Sequence, residues 1–201
     1  EGYNAVVGYL LFDFHQPEKL RAFLDRLAHE RLPLPFFATA ENHNTPRAAA
    51  RPFPLQYVHF VLALSVLLPG VPFIHSGFEL METQPINTGL GFTDEMIRTY
   101  PAEKLPLFSA WAFDWTRPDN LVNSVRYALQ MRQKYASLLS DPDPATFFVG
   151  YSDNPSFLTF ARQNAEHTLV AVASATFEAR EDGRAYLPVC QCSLTPLWGS
   201  D

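Results

Sequence analysis

The feature that most constrains the fold of this chain is a series of short apolar segments separated by long helical ones. Residues 4–12 form a near-continuous apolar run, residues 36–38 are aromatic or small, and residues 71–75 form a third short segment. A strand without polar alternation is typical of a parallel sheet that is covered on both faces. Parallel neighbours need a crossover of a dozen or more residues, which the intervening segments supply. The sequence therefore predicts an α/β fold built on a parallel sheet.

Helical periodicity predicts three helices. The first spans residues 17–30, begins at a proline and buries Leu20, Phe23, Leu24 and Leu27. The second, residues 55–68, is apolar on nearly every side and ends at Pro69-Gly70, so more than one neighbour is expected to cover it. The third runs from residue 118 to 139. Its predicted apolar face carries Leu121, Val125, Ala128, Leu129 and Tyr135, and its solvent face carries Arg126, Arg132 and Lys134.

The last third of the chain has a different pattern. Residues 140–144, with two Asp-Pro pairs, read as a linker, and short alternating segments follow it at 147–151, 157–162, 169–174 and 184–189. Turn-forming residues separate these segments, so they predict a small antiparallel β domain. We place the domain boundary between 1–140 and 141–201. The region 76–118 has no strong periodicity, and a connection of that length is usually functional.

A polar cluster follows the second predicted strand. Glu41, Asn42, His43, Asn44 and Arg47 bring together a carboxylate, two amides, an imidazole and a guanidinium. These groups donate and accept hydrogen bonds in the combinations that a polyhydroxylated ligand such as a sugar requires. The alternative is a local turn in which the asparagines satisfy backbone groups.

Two segments resemble a known enzyme family. Segment 36–47, FFATAENHNTPR, resembles the stretch with an Asn-His-Asp motif that closes strand seven of the barrel in the α-amylase family of glycoside hydrolases. Segment 67–79, LLPGVPFIHSGFE, resembles strand eight of the same family, in the matching order. The resemblance implies the C-terminal part of a (β/α)8 TIM barrel, about strands six to eight with their helices, in residues 1–140, followed by a truncated antiparallel C-terminal domain. The order of elements alone would also fit a Rossmann-like sheet.

The resemblance also implies an activity and assigns roles to residues. The intact protein would be a glycoside hydrolase acting on α-glucosidic bonds of malto-oligosaccharides or glucans, with His43 and Asn44 as catalytic residues. His43 would bind sugar hydroxyls beside the scissile bond, while Asn44 stands where the family usually has an aspartate. Because an amide lacks the charge that favours an oxocarbenium-like transition state, Asn44 departs from the pattern. The expected substrate-binding residues are Glu41, Asn42, Arg47, which would also hold the loop, His75, Glu79 and Asn87.

The catalytic carboxylates of the family have no counterpart in these segments. Retaining glycosidases need a nucleophile and an acid/base about 5–5.5 Å apart, and in this family they follow strands four and five. We therefore expect an incomplete fragment that is inactive alone and that self-associates or pairs with a missing N-terminal half, because three barrel strands leave unpaired edges. The alternative is a new pair among the loop acids Glu79, Glu82, Asp94, Glu95 and Asp114.

The long loop bears on which reaction the intact protein performs. Segments 83–92 and 108–115 carry amides and aromatic rings of the kind that line sugar subsites, although Trp111, Phe113 and Trp115 would also pack the loop onto the last helix. The loop resembles the maltosyltransferase branch of the family, which makes a maltosyl-type transglycosylase one alternative. A non-catalytic carbohydrate-binding or assembly module is the other, and Asn44 favours it.

Composition excludes several partner classes. The net charge of −6 and the pI near 5.5 argue against nucleic acid or an anionic membrane as partner. The longest apolar run, 58–68, is too short to span a bilayer, and without a signal-like segment we expect a cytoplasmic protein. Cys190 and Cys192 match no metal or redox framework. Since no set of ligating side chains has metal spacing either, we expect no metal and no cofactor.

Overall fold

A computed structural model of the chain describes residues 3–7, 16–107, 113–177, 182–189 and 193–198. The first half contains β1 (Val6–Val7), α1 (Pro17–His29), β2 (Phe36–Ala38), α2 (Pro54–Leu67) and β3 (Val71–Pro72). The three strands form one parallel sheet in the order β1-β2-β3. The predicted alternation of parallel strands and helices is confirmed, although β3 is shorter than expected. Residues 8–12 of the first predicted strand lie outside the described residues.

Helix α1 begins and ends where its sequence predicts. Pro17 suits the first turn because its φ is already helical, and the helix ends at His29, ahead of the proline-containing segment 31–35. Phe23 meets Phe36 of β2 edge-on, with ring centroids 5.4 Å apart. Burial of each apolar side chain contributes about 2 kcal/mol. The stripe that packs on the sheet consists of Leu20, Phe23, Leu24 and Leu27.

Helix α2 is enclosed on most of its circumference, as its apolar sequence predicts. Val58, Val61 and Leu62 are completely buried. The turn after the helix brings Gly70 against β2, where a Cβ would lie 2.7 Å from the carbonyl oxygen of Phe36. Only glycine allows the two backbones to approach so closely.

The last predicted helix is observed as α4 (Val122–Lys134) and α5 (Ala136–Leu139), so it begins later than residue 118. The side chain of Asn120 accepts a hydrogen bond from the Val122 amide at 3.1 Å, which satisfies one donor of the first turn. Leu129, predicted on the apolar face, is 41% exposed.

The prediction that Arg132 faces solvent is wrong. Its guanidinium is buried and donates to the carbonyl oxygens of Val66, Leu68 and Gly70 at 2.7, 2.7 and 2.5 Å. These carbonyls belong to the end of α2 and the turn after it, where backbone acceptors lack helical partners, so a cation there is stabilising. Burial lowers the pKa of Arg132 to about 10, and the side chain remains protonated at neutral pH.

The described parts of the region 76–118, residues 76–107 and 113–118, carry little regular structure, as predicted. They contain the short helix α3 (Asp94–Thr99), which Thr93 caps by accepting a hydrogen bond from the Met96 amide at 3.2 Å. Single 3₁₀ turns lie at Phe78–Leu80 and Ala102–Lys104.

The final part of the chain is antiparallel, as predicted. Strands β4 (Phe147–Val149), β6 (Phe157–Gln163) and β7 (Thr168–Ser174) form one sheet in the order β4-β6-β7. Strands β5 (Tyr151–Ser152) and β8 (Ala185–Tyr186) pair separately.

A second buried arginine holds the connection between the helical and β parts. Arg162 of β6 donates to the carbonyls of Leu138 and Asp141 at 2.8 and 2.7 Å and to the Thr146 hydroxyl at 3.1 Å. Burial and the nearby positive charge of Arg132 lower the pKa of Arg162 to about 10. One continuous core includes side chains of α1, α2 and β6. The segment 140–144 is therefore firmly attached on both sides.

One face of the parallel sheet is partly open to solvent. Val7, Phe37 and Val71 lie in one row across the three strands, by their pairing register. Val7 and Val71 are each 42% exposed, and Phe73, which contacts Phe37 edge-on, is 41% exposed.

In the described ranges no helix combines the length and apolar character needed to cross a bilayer.

Candidate functional site

The candidate site lies at one edge of the parallel sheet. Strands β2 and β3 run in the same direction, so the segments that follow them, 39–48 and 73–79, emerge at the same edge. The Phe73 amide donates to the Ala38 carbonyl at 2.9 Å, which keeps the two strand ends together. Seven of the eight predicted site residues lie in these two segments, and Asn87 comes from the long loop.

Arg47 joins the two strand ends and the loop. Its side chain is completely buried, and Nη1 lies 2.7 Å from Glu41 Oε1, 2.7 Å from His75 Nδ1 and 2.9 Å from the Ser76 carbonyl oxygen. Its Nε donates to the Gln84 carbonyl at 3.0 Å. Because the guanidinium is rigid and planar, it fixes these three segments relative to one another.

The contact with Arg47 defines the tautomer of His75. A guanidinium has only donors, so His75 Nδ1 must act as the acceptor and the ring proton resides on Nε2. Nδ1 is also 3.5 Å from Glu41 Oε1. The side chain is 15% exposed, and within the described ranges Nε2 has no protein hydrogen-bond partner. His75 can therefore present an N–H donor to a ligand at the strand ends.

The carboxylate of Glu41 is used entirely within the protein. It is 1% exposed, with Oε1 paired to Arg47 and Oε2 accepting from the Ala48 amide at 2.5 Å. This arrangement stabilises the segment after β2 but leaves no oxygen to contact a ligand.

Residues 42–45 form a tight hydrogen-bonded turn. The Asn42 side-chain oxygen accepts from the Asn44 amide at 2.8 Å, and the Asn42 amide donates to the Thr45 hydroxyl at 2.9 Å. Such turns are a usual setting for Asn and Thr. The turn places His43 at its exposed position, and His43 forms no hydrogen bond or ion pair with any residue that the structure describes.

Asn44 connects this turn to the long loop. Its Oδ1 accepts a hydrogen bond from Asn87 Nδ2 at 3.1 Å. The backbone of Gly89 packs on the same residue, since a Cβ there would lie 2.9 Å from the Asn44 carbonyl oxygen. The structure thus brings two of the predicted amides together.

Glu79 lies on the 3₁₀ turn after β3 and is half-buried. Its Oε2 is buried and has no hydrogen-bond partner in the described part of the chain, while its backbone carbonyl accepts from the Leu121 amide at 2.7 Å. No contact is observed between Glu79 and the Arg47 network in these residues.

The aromatic residues of the long loop differ in their surroundings. Phe113 lies under the Arg47 guanidinium at 6.0 Å and packs on Gly77, where a Cβ would come within 2.8 Å of its ring. Gly77 also has a φ of +94°, which favours glycine. Trp115 is 57% exposed and contacts Phe113 edge-on. Trp111 lies outside the described residues, as do Cys190 and Cys192.

The surroundings of Asp114 differ from those of a catalytic acid. Hydrogen bonds from the Thr116 hydroxyl and amide, at 2.6 and 3.0 Å, lower the pKa of Asp114. A general acid needs the opposite shift. In the described ranges, no group of three or more His, Cys, Asp or Glu side chains has the geometry to hold a metal ion.

Sequence reasoning did not identify several residues that shape the site. Thr45 closes the turn around His43, and an Asn followed by Thr at this spacing is a recognisable turn signal. Ser76 and Gln84 contribute only backbone carbonyls to Arg47, and no side-chain pattern predicts that. Phe113 belongs to the segment 108–115 that the sequence predicts either to line sugar subsites or to pack on the last helix, and it packs on Gly77 and Arg47.

No protein-family model matches the sequence, and no curated protein is significantly similar to it. Solved structures do resemble the fold. The maltogenic α-amylase AmyB from Thermotoga neapolitana matches 86% of this chain and 38% of its own, with a TM-score of 0.63 and 16% identity. The Geobacillus thermoleovorans α-amylase, solved with acarbose, matches 87% of this chain and 37% of its own, with a TM-score of 0.58 and 16% identity.

The cyclomaltodextrin glucanotransferase CldA matches 82% of this chain and 31% of its own, with a TM-score of 0.52 and 16% identity. This chain therefore spans about a third of the length of the enzymes that it resembles. All three are α-amylase-family enzymes, which confirms the resemblance predicted from segments 36–47 and 67–79. The chain has the mixed α/β fold of one part of the α-amylase-family enzymes.

Proposed function

We propose that this chain is the C-terminal portion of an α-amylase-family glycoside hydrolase that acts on α-glucosidic bonds of malto-oligosaccharides or glucans. In this proposal β1, β2 and β3 correspond to about strands six to eight of a (β/α)8 barrel, and residues 141–201 correspond to the antiparallel domain that follows it. The fold similarity supports the proposal, and the network at the strand ends carries it.

The hydrogen bonds of Arg47 at the strand ends are the main structural support for a ligand site in this position. They fix the ends of β2 and β3 and the loop at Gln84 around one completely buried guanidinium. Sites of parallel barrels lie at the carboxyl ends of their strands. The network orders the surrounding chain, while His43 and the Nε2 of His75 face the ligand. A fixed N–H donor on His75 and the exposed imidazole of His43 are suited to binding sugar hydroxyls.

The same geometry supports an incomplete catalytic centre. Glu41 is fully engaged by Arg47 and Ala48, and Asp114 is held in its ionised form. Glu41 therefore has no free oxygen for catalysis, and Asp114 lacks the proton that a general acid needs. We infer that the catalytic nucleophile and the acid/base lie outside the 201 residues and that this chain alone does not turn over substrate.

Binding of maltoheptaose, followed by NMR or calorimetry, tests the proposed site. We expect His43→Ala to weaken binding about fivefold or more, which corresponds to about 1 kcal/mol for a lost hydrogen bond. His29→Ala is the matched control, because His29 is an exposed histidine on α1, and it should bind as the parent does. Absence of any binding by the parent, or equal loss in both variants, would contradict the proposed site.

A maltosyl-type transglycosylase is the second candidate within enzymes. Two of the similar structures are a maltogenic α-amylase and a cyclomaltodextrin glucanotransferase, so the fold occurs both in an enzyme named as an amylase and in one named as a transferase. Mass spectrometry of the products that the intact protein forms from maltoheptaose distinguishes hydrolysis from transfer. Products longer than the substrate indicate transfer, whereas only shorter products indicate hydrolysis.

Asn44 favours a third candidate, a non-catalytic carbohydrate-binding module. An aspartate at this position could accept the same hydrogen bond from Asn87 and would add the missing charge. For an enzyme limited by this amide, Asn44→Asp in the intact protein should raise the rate on maltoheptaose about tenfold or more. A module that binds sugar without turnover would show no activity in either form.

A further inference from the structure

The small β5–β8 sheet displays two exposed tyrosines side by side. Tyr151 and Tyr186 are direct cross-strand partners, with ring centroids 6.1 Å apart and planes inclined by 30°. They are 68% and 51% exposed, so neither ring covers the other. Large aromatic side chains normally contribute to stability by burial. A neighbouring exposed pair is therefore an unusual use of these residues.

Polar residues lie next to the two tyrosines, where the β5–β8 pair ends. An open depression of about 700 Å³ is lined by Asp153, Asn154, Pro155, Asp182, Gly183 and Arg184. The Arg184 amide donates to Asp153 Oδ1 at 2.7 Å, and the Asp153 amide donates to the Arg184 carbonyl at 3.3 Å. These bonds extend the β5–β8 ladder by one residue on each strand. The depression is consequently held in a fixed position next to the two rings.

Two charged side chains at this depression are available to a ligand. Within the described ranges, the carboxylate of Asp182 and the guanidinium of Arg184 form no hydrogen bond or ion pair, although their backbones are bonded. Together they provide both acceptors and donors beside the aromatic surface. Stacking rings with adjacent hydrogen-bonding groups of both kinds match a chain of sugar rings, which has apolar faces and hydroxylated edges.

We propose that Tyr151 and Tyr186, with Asp182 and Arg184, form a second carbohydrate-binding site that holds an α-glucan away from the strand-end site. The choice of an α-glucan rests on the proposed function, while the presence of a sugar site rests on the rings and the depression. Phenolic hydroxyls keep such a surface compatible with water when it is empty.

A second site has a definite consequence for polymeric ligands. When two sites on one molecule hold the same glucan, the second binding event is intramolecular and its effective concentration is high. Loss of the tyrosine site should therefore weaken binding of soluble glycogen more than binding of maltoheptaose. Short oligosaccharides would still occupy each site separately.

Affinity electrophoresis in gels containing glycogen tests the proposal on the 201-residue chain. Tyr151→Thr and Tyr186→Thr remove the rings while keeping a residue suited to strands. We expect each to weaken glycogen binding about tenfold, as loss of one stacking contact of roughly 1.4 kcal/mol implies. Tyr151→Phe should stay within about twofold of the parent, because the ring remains. Tyr3→Thr, which removes a tyrosine that is 79% exposed, is the matched control and should change nothing.

A second test replaces the charged side chains with Arg184→Gln and Asp182→Asn, which leave the strand pairing intact. Each variant should bind glycogen several-fold more weakly while its melting temperature stays unchanged. Unaltered glycogen binding by well-folded threonine variants, or equal retardation in gels with cellulose derivatives, would overturn the proposal. A change in sedimentation but not in glycogen binding would also overturn it, because it would assign the pair to contacts between copies. Loss in the tyrosine variants but not in His43→Ala would support this site and contradict the strand-end site.

Discussion

At the residue scale, His75 shows how one neighbour determines what a side chain can do. Arg47 can only donate, so the 2.7 Å contact between its Nη1 and His75 Nδ1 fixes the imidazole proton on Nε2. Glu41 balances the guanidinium charge, and all three groups are packed together at the strand ends. Each ring nitrogen of His75 thus has its own role: Nδ1 accepts a hydrogen bond from Arg47, and Nε2 can donate one to a ligand.

Two substitutions at His75 distinguish the acceptor at the δ position from the ligand-binding donor at the ε position. His75→Asn places an amide oxygen at the δ position and retains an acceptor for Arg47, whereas His75→Gln places its amide at the ε position. We expect the Asn variant to keep the free energy of unfolding within about 0.5 kcal/mol and to lose maltoheptaose affinity. The Gln variant should lose about 1–2 kcal/mol of stability and retain more of the affinity. Urea unfolding and binding titrations give both quantities.

Nitrogen NMR of the histidine rings gives the direct test of the tautomer. The contact with Arg47 predicts that the neutral His75 ring carries its proton on Nε2 and leaves Nδ1 unprotonated. A spectrum with the proton on Nδ1, or the reverse order of the two variants in stability and affinity, would contradict the assignment.

At the element scale, the end of α2 depends on a residue from another helix. Arg132 of α4 satisfies three carbonyls at the end of α2 and in the turn that leads to β3. Since β3 carries the segment with His75, this bond set also positions half of the candidate site. A helix end that is buried without such partners would be destabilising.

Replacing Arg132 measures this contribution. Arg132→Met keeps most of the side-chain stem but leaves the three carbonyls without donors, so we expect a loss of about 3 kcal/mol in the free energy of unfolding. Arg126→Met is the matched control on the same helix, because Arg126 is exposed and donates to the neighbouring Asn123 side chain. Its expected effect is within about 0.5 kcal/mol. Equal effects in urea titrations of both variants would show that Arg132 has no capping role.

The elements differ in how far their sequences predict them. Helix α1 follows from its apolar periodicity and α2 from its long apolar run, and Pro17 and Gly70 mark boundaries by their backbone geometry. Periodicity alone placed Arg132 in solvent, because a charged residue is normally exposed and its acceptors lie more than sixty residues away in sequence. The polar cluster of 41–47 was predicted as a site from its composition, but the turn formed by Asn42 and Thr45 separates exposed His43 from buried Glu41. Which of these polar side chains is exposed and which is buried depends on tertiary contacts, which the sequence pattern does not show.

At the scale of the whole molecule, the parallel sheet has two unlike faces. One packs on helices α1 and α2, and the other carries exposed Val7, Val71 and Phe73 around the half-buried Phe37. In a closed barrel such a face would be the interior. We therefore expect the isolated chain to associate with itself through this surface.

Sedimentation of the chain over a range of concentrations tests this expectation. Phe73→Thr should shift the chain toward monomer, because it removes the largest exposed ring of the surface. Val172→Thr is the control, since Val172 is 51% exposed on β7 and lies in the other sheet. A chain that is monomeric at every concentration, or that responds equally to both substitutions, would contradict an exposed barrel interior.

A comparison of the natural gene product with this chain tests most directly whether the 201 residues are part of an α-glucan-active enzyme. The measurement is the intact mass of the protein in its source cells, followed by an assay of that protein and of the 201-residue chain on maltoheptaose. We expect a longer natural protein that cleaves or rearranges the substrate, and no turnover by the 201 residues alone. Turnover by this chain without any further residues, or a natural protein that is inert toward α-glucans, would contradict it.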